Sequence, residues 1–187
     1  MERTSVRTFT GQNVDLIDTA VDSINIYDIA HHLSKLDRYN GAGSFPYSVG
    51  YHSLLVAECL PEEYRLWGLL HDATEAYLGD VVSPLKSLLP GYRDIEQHLM
   101  AIIAGKFLLN MPRPPEVKAM DTAVMVAEMN QVMNWPDLAA QQGVPSAPVR
   151  IYQREWQDVR AEFLSKFEEY RRVEFFAKTK NYGGIAV

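Results

Sequence analysis

The sequence has a single cysteine and no long apolar stretch, and both absences narrow the class of protein. Cys59 is the only cysteine among 187 residues, so no disulfide can form within the chain, as is usual in a reducing cytosol. No apolar run approaches the roughly 18 residues that a membrane-spanning helix requires. The polar residues 1–18 contain no apolar segment of the kind found in secretory signal peptides. We therefore expect a cytoplasmic protein that makes no contact with a membrane.

Basic residues are in the minority. Lysine and arginine number 18 against 24 aspartates and glutamates, which gives a formal net charge of −6. Such a surface opposes binding to a nucleic acid polymer, although it is compatible with a small basic pocket for one nucleotide. The hydrophobic fraction of 47% is enough for one sizeable core. We therefore predict a single domain over residues 1–187.

Sustained alternation of polar and apolar residues is also missing, so the sequence predicts few or no strands. Residues 1–22 are interpreted as an irregular lead-in or a short hairpin. From residue 23 onward apolar residues recur every three or four positions, which predicts helices separated by segments rich in glycine and proline. The predicted helices span residues 23–37, 50–59, 61–78, 92–109, 116–134 and 151–178. This pattern indicates an all-α bundle with long loops on one side.

The stretch "LWGLLHDATEAYLGD" at residues 66–80 begins as an apolar helix and then becomes polar. His71 and Glu75 are four residues apart, which places them on one helical face. Asp72 adjoins His71, so these two side chains can meet only at a point close to the helix surface, such as a metal ion. The alternative is a helix end that turns toward solvent with its carboxylates exposed.

Two further polar residues lie in apolar surroundings on other predicted helices. His52 is in "YSVGYHSLLVAECL", where a hydrogen-bonded core histidine is the simpler interpretation, and Asp121 is in "EVKAMDTAVMVAEMN", where it could point outward. Taken together with His71 and Asp72, they supply four ligands from three helices. This set suits Zn²⁺, Co²⁺ or Mn²⁺ and leaves open positions on an octahedral ion, with Mg²⁺ as a candidate second ion.

These residues resemble the H…HD…D signature of the HD-domain metal-dependent phosphohydrolases. The segments "PYSVGYHS", "LLHDATEAYLGDVVSPLK" and "VKAMDTAVMVAE" are similar to the subgroup of bacterial deoxynucleoside 5′-monophosphatases and small bacteriophage enzymes that hydrolyse dATP. The similarity covers about residues 24–135. It implies an HD-domain helical bundle with the metal site between helices, and a place in the host cytoplasm if the gene is phage-encoded.

The resemblance also implies roles for residues beside the metal. Glu75 would orient or deprotonate the attacking water, and Asp80 would protonate the leaving 5′-oxygen or hold a water. Arg38 matches the family's phosphate-binding arginine, and Lys86 would be a second phosphate contact. Without the resemblance, Arg38 and Lys86 would be interpreted as solvated loop charges.

The substrate's base and sugar have two further candidate contacts. Tyr39, next to Arg38, could stack on a base, and Pro84 could form a wall of the same pocket. His31, His32 and His98 match no motif and are interpreted as ordinary helix residues. Glu128, two turns after Asp121, is interpreted as a surface salt-bridge residue, with contact to a metal ligand as the alternative.

The function expected from this resemblance is metal-dependent hydrolysis of 2′-deoxynucleotides at the 5′ (α) phosphate. The leading expectation is a dATP or dNTP triphosphohydrolase that releases deoxynucleoside and triphosphate, and the alternative is a deoxynucleoside 5′-monophosphatase. A catalytically dead nucleotide-binding protein is a different class, disfavoured because Glu75 and Asp80 are present. A cyclic-nucleotide phosphodiesterase would need additional histidines for a second metal. We also expect a homo-oligomer, a dimer or larger.

Overall fold

The computed structural model describes residues 4–182, with side chains described for residues 4–173. An antiparallel hairpin, in which Val6 pairs with Val14, precedes a mainly helical body, and this confirms the predicted all-α class. The hairpin strands are β1 (Ser5–Arg7) and β2 (Asn13–Asp15). The helices are α1 (Ile26–Leu33), α2 (Val49–Cys59), α3 (Arg65–Leu70), α4 (Glu75–Leu78), α5 (Ser83–Lys86), α6 (Tyr92–Lys106), α7 (Pro115–Gln131), α8 (Pro136–Gln141) and α9 (Trp156–Tyr182). Within residues 4–182, no helix is both long enough and apolar enough to cross a membrane.

Helices α1 and α2 each begin after a residue whose side chain accepts a hydrogen bond from a free N–H group of the first turn. The side chain of Asn25 accepts the Tyr27 N–H at the start of α1, and Ser48 accepts the Tyr51 N–H at the start of α2. Proline occupies the first turn of α7 and α8, where its missing N–H costs no helical hydrogen bond. Local sequence therefore fixes where the helices that carry the site begin.

Several boundaries differ from the predicted helices; the first helix, for example, spans Ile26–Leu33 rather than 23–37. The single helix predicted over 61–78 is divided into α3 and α4 by a tight turn at residues 71–74, in which the Ala73 N–H donates to the Leu70 carbonyl at 3.0 Å. The final helix begins at Trp156 rather than at 151, because Ile151 is buried in an extended segment and its N–H donates to Gln131 Oε1. Helix α8 lies in a segment predicted to be loop. Apolar spacing alone cannot locate helix boundaries that depend on contacts between distant segments.

Helix α2 is the central element of the core. Residues 49–57 are all buried, and the helix packs against α3, α7 and α9. Gly68 permits the close approach of α3, since a Cβ there would lie 2.6 Å from Leu60 Cδ1 and 3.0 Å from Ala57 Cα. This packing brings His52 on α2 beside His71, which follows α3.

Two histidines predicted to be ordinary helix residues attach the N-terminal hairpin to the bundle. His32 accepts the Phe9 N–H at Nε2, and its Nδ1 lies 2.6 Å from the Ala76 carbonyl. His31 stacks on the Phe9 ring, with the ring centroids 3.8 Å apart. The buried Asp28 accepts hydrogen bonds from the N–H and hydroxyl of Thr10. His98 is exposed on α6, as expected of an ordinary helix residue.

Candidate metal centre and active-site cavity

The four predicted metal ligands meet where α2, the 71–74 turn and α7 come together. The Nε2 atoms of His52 and His71 are 3.2 Å apart. Asp72 Oδ2 lies 3.2 Å from Nε2 of His71 and 3.7 Å from Nε2 of His52. The ligand atoms of these three residues all lie within 4.8 Å of one another, so this buried group could hold a metal ion. Asp121 Oδ1 approaches the same two nitrogens, at 3.2 Å from His52 and 3.8 Å from His71.

These separations fit a shared divalent ion. Ligand atoms about 2.1 Å from a metal stand about 3.0 Å apart at neighbouring octahedral positions and about 3.4 Å apart at tetrahedral ones. The measured separations of 3.2–3.8 Å lie close to both values. Two imidazole lone pairs directed at each other also repel unless a cation or a proton lies between them. The geometry and the chemistry of the donors therefore both suit a metal.

The outer nitrogens of both imidazoles are held in the orientation that metal ligands need. His71 Nδ1 lies 2.7 Å from the Gly68 carbonyl, which can only accept a hydrogen bond. His52 Nδ1 lies 2.6 Å from Glu128 Oε1. Each ring is therefore assigned a proton on Nδ1, which leaves the Nε2 lone pair facing the centre of the site.

The charges at the site favour a cation. Burial lowers the pKa of His71, but the charge of Asp72 and the hydrogen bonds to Asp121 and Asp72 outweigh it and raise the pKa to about 10. Burial raises the pKa of Asp72, but the interaction with His71 is stronger and holds that pKa well below its usual range. For Asp121, hydrogen bonds to His52 and His71 likewise overcome burial and lower the pKa. These shifts favour positive charge between the four side chains, which either a proton or a metal ion can supply.

A cavity of about 770 Å³ opens beside this group. His71, Asp72 and Asp121 line it, whereas His52 is fully buried and does not. All the residues predicted to act on or bind the substrate also line it, namely Arg38, Tyr39, Glu75, Asp80, Pro84 and Lys86. The structure therefore brings the complete predicted site together around one cavity, although these residues come from separate loops and helices.

The two predicted acids have different surroundings. Glu75 is 6% exposed, and its Oε2 has no hydrogen-bond partner among the described residues. Burial, followed by the charges of Asp72 and Asp80, raises the pKa of Glu75 to about 9. Asp80 is less buried, and desolvation raises its pKa as well. Two carboxyl groups with different environments at one cavity are the arrangement that acid–base catalysis requires.

Arg38 and Lys86 are both held in ion pairs, so the interpretation of them as solvated loop charges is wrong. Arg38 Nη2 lies 3.2 Å from Glu128 Oε2, and its Nη1 lies 3.6 Å from Asp72 Oδ2. Lys86 Nζ lies 2.7 Å from Glu96 Oε1 and 3.6 Å from Glu75 Oε1. A phosphate group bound to Arg38 or Lys86 would therefore share that side chain with the carboxylates that contact it in the structure.

Glu128 is buried, so its interpretation as a surface salt-bridge residue is wrong, and the structure shows the alternative, contact with the candidate metal ligand His52. Its side chain is completely buried and accepts hydrogen bonds from Arg38, Tyr39 and Tyr47 as well as contacting His52. Burial raises its pKa, but the charge of Arg38 and the contacts with His52 and Tyr39 reverse this and lower it to about 2. A sequence signal existed, because Glu128 follows Asp121 by two helical turns and therefore shares its face.

Among the residues that line the cavity but were not predicted are Trp135, Arg113 and Lys118. Trp135 is 37% exposed and packs edge to face against Tyr39, with ring centroids 6.2 Å apart. Arg113 has no ion pair among the side chains described. Lys118 Nζ lies 2.8 Å from Asp121 Oδ2. All three line the cavity. They come from loops or from the exposed side of α7, where the sequence carries no periodic signal.

Two bacterial proteins match the chain over most of its length. It is 35% identical over 146 residues to the uncharacterized protein YfdR of Escherichia coli strain K12. The aligned segment covers 75% of this chain and 80% of that protein. It is 36% identical over 154 residues to the uncharacterized protein RCAP_rcc00048 of Rhodobacter capsulatus. The aligned segment covers 75% of this chain and 79% of that protein. No family model matches the chain. Neither relative's name states an activity, so the chemistry must be inferred from the site.

Proposed function

The chain belongs to one protein family with YfdR and RCAP_rcc00048, and we propose that it is a metal-dependent phosphohydrolase of the HD superfamily acting on 2′-deoxynucleotides. The observation that carries this proposal is the cavity that places the His52, His71 and Asp72 group beside two acids of raised pKa. Cations line the same cavity, as recognition of a phosphate ester requires.

A divalent ion held by His52, His71, Asp72 and Asp121 would polarise a phosphoryl oxygen and acidify water. In the metal-free site Glu75 has a raised pKa; the positive charge of a bound ion would lower it, and the ionised Glu75 then accepts the proton of the attacking water as the new bond between oxygen and the α-phosphorus forms. Asp80 donates a proton to the 5′-oxygen as the bond between that oxygen and phosphorus breaks. Arg38 and Lys86 offset the negative charge on the phosphoryl oxygens. The products are a deoxynucleoside and the detached phosphate chain.

The number of cations at the cavity favours a triphosphate over a monophosphate. Arg38, Lys86, Arg113 and Lys118 all line it, and Arg113 is not already paired with a carboxylate among the described residues. A triphosphate has oxygens that reach beyond the reacting phosphorus and can use these charges. Tyr39 and Trp135 present aromatic surface to the base. The leading substrate is therefore dATP or another dNTP, and the alternative is a deoxynucleoside 5′-monophosphate.

Product analysis tests this proposal. We expect dATP, incubated with the protein and Zn²⁺, Co²⁺ or Mn²⁺, to give deoxyadenosine and triphosphate in one step, with chromatography separating the products. Turnover of dAMP but not dATP would establish the monophosphatase instead. Early formation of dADP with orthophosphate would mean attack at the γ-phosphorus and contradict the proposal. Metal-dependent binding of dATP or dAMP without any hydrolysis would indicate the non-catalytic alternative.

The response to substrate charge tests the assignment of the cavity cations. Lys86→Ala and Arg113→Ala should each lower kcat/KM for dATP by about 10- to 150-fold, the effect of losing one charge-assisted contact. The loss for dAMP should be clearly smaller, because a monophosphate lacks the outer oxygens. Arg93→Ala removes a charge from α6 outside the cavity lining and serves as the control. Equal losses for both nucleotides would favour the monophosphatase.

A further inference from the structure

The two carboxylate oxygens of Glu128 serve different parts of the site. Oε1 lies 2.6 Å from Nδ1 of the metal-ligand candidate His52 and accepts a hydrogen bond from the Tyr47 hydroxyl at 2.8 Å. Oε2 accepts the Tyr39 hydroxyl and, at 3.2 Å, Nη2 of Arg38. A carboxylate is rigid and planar, so fixing one oxygen also fixes the direction of the other. The candidate metal ligand His52 and the loop residues Arg38 and Tyr39 thus contact the same buried carboxylate.

Oε2 contacts the first two residues of the loop 38–44, whose backbone includes an energetically costly conformation. Tyr39 and Asn40 both have positive φ, at 57° and 53°, and Gly41 follows at 74°. Consecutive non-glycine residues in the left-handed region are costly and are retained only where surrounding contacts determine them. Further support comes from the Arg38 N–H, which donates to the Tyr47 carbonyl, and the Ser44 N–H, which donates to the Val132 carbonyl.

We propose that Glu128 is a positioning residue that couples occupancy of the metal site to the order of the 38–44 loop. A cation on Nε2 of His52 makes the Nδ1–H a stronger donor to Oε1. The carboxylate is then held with Oε2 at the point where Arg38 and Tyr39 meet it. Because such coupling is reciprocal, the contacts from the loop strengthen metal binding in return. This inference rests on the metal site of the proposed function. It adds that metal binding orders the 38–44 loop, which hydrolysis alone does not require.

Amide hydrogen exchange of the wild-type protein gives the first test, with Co²⁺ as the only added ligand. Exchange at Ala42 and Ser44, whose N–H groups are hydrogen-bonded in the loop, should slow by about 5-fold or more when Co²⁺ binds, the lower end of typical coupling between sites. Identical exchange with and without bound Co²⁺ would overturn the inference.

The Glu128→Gln variant gives the second test. An amide offers one acceptor and one donor, so it cannot satisfy both the His52 side and the loop side. Its affinity for Co²⁺ should fall by about 10- to 100-fold, as for other partners of metal-binding histidines. Co²⁺ at saturation should no longer alter exchange of the loop. Retention of the wild-type response to Co²⁺ would contradict the proposal.

A matched control and a milder variant complete the experiment. Asp28→Asn also neutralises a fully buried carboxylate, but one that holds the N-terminal hairpin, so its Co²⁺ affinity and loop response should equal those of the wild type. Tyr39→Phe keeps Glu128 and every ligand, and covers the case in which Glu128→Gln does not fold. Its Co²⁺ affinity should fall by about 5-fold through the reciprocal coupling, and an unchanged affinity would count against the proposal.

The outcomes separate this inference from the proposed function, because no nucleotide is present. A wild-type protein that binds no divalent ion would overturn both. Binding of Co²⁺ without a response of the loop would overturn the coupling alone. A loop that responds to Co²⁺ in a protein that hydrolyses no nucleotide would uphold the coupling and overturn the phosphohydrolase.

Discussion

Asp72→Asn should yield a folded protein that retains no metal and hydrolyses nucleotides only at the background rate. The Asp72 side chain is 21% exposed, so the fold does not depend on burying it. Its Oδ2, however, lies within 3.7 Å of both imidazole Nε2 atoms, and no neighbouring carboxylate on the same turn can replace it. The loss of metal affinity should exceed the roughly 10- to 100-fold that follows loss of a partner outside the ligand set.

Elemental analysis of the dialysed variant, with circular dichroism to verify folding, measures this effect. Asp80→Asn is the matched control, because it removes a carboxylate from the same cavity but not from the metal group, and it should keep its metal. Full occupancy in Asp72→Asn would show that Asp72 is not a ligand.

Glu75→Gln should bind metal as the wild type does but lose turnover by about 100-fold or more, the usual contribution of a positioned acid or base. Glu75 is outside the metal group yet buried at the cavity, with one oxygen that has no partner among the described residues. The amide has nearly the same shape but cannot take up the water's proton. kcat for dATP and metal content should be measured on the same preparation.

Glu96→Gln is the control for this variant. Glu96 is the other carboxylate beside Lys86, so its replacement disturbs the lysine without touching the acid that is tested. We expect this control to keep kcat close to the wild-type value. If Glu75→Gln hydrolysed dATP at the wild-type rate, Glu75 would not be a catalytic residue.

Glu75→Gln should also change how the free energy of unfolding of the metal-free protein depends on pH. Burial and the charges of Asp72 and Asp80 raise the pKa of Glu75 from 4.5 to about 9, so the folded state holds a proton that the unfolded state releases in this range. The free energy of unfolding contributed by this group therefore falls as the pH rises from 4.5 to 9. Glutamine has no proton to release. Melting with a chelator present should show Tm of Glu75→Gln rising relative to wild type across this range.

The sequence by itself determined the helical class and indicated the residues that carry the proposed chemistry at the cavity, but not the rest of the cavity lining. Apolar residues at intervals of three and four can be buried on one side only by a helix, so the elements follow from the pattern. The adjacent His71 and Asp72 restrict a shared ion to a point near the helix surface, and His52 and Asp121, polar residues in apolar surroundings on other predicted helices, were its further candidate ligands. The predicted site residues had been selected on these grounds and on the resemblance over residues 24–135, whereas Arg113, Lys118 and Trp135 had not been selected.

Tertiary structure alone decided how those residues are supported. Glu128 meets Arg38, Tyr39 and His52 across separations of 90, 89 and 76 residues, and no local pattern encodes contacts of that range. The predicted 61–78 helix breaks at residues 71–74, where the apolar spacing of the sequence gives no sign of a break. Helix periodicity reports only which face of a segment is apolar. Whether a charged residue on that face meets solvent or a buried partner depends on the elements packed against it, which is why the sequence left both outcomes open for Glu128 and only the folded chain decided between them.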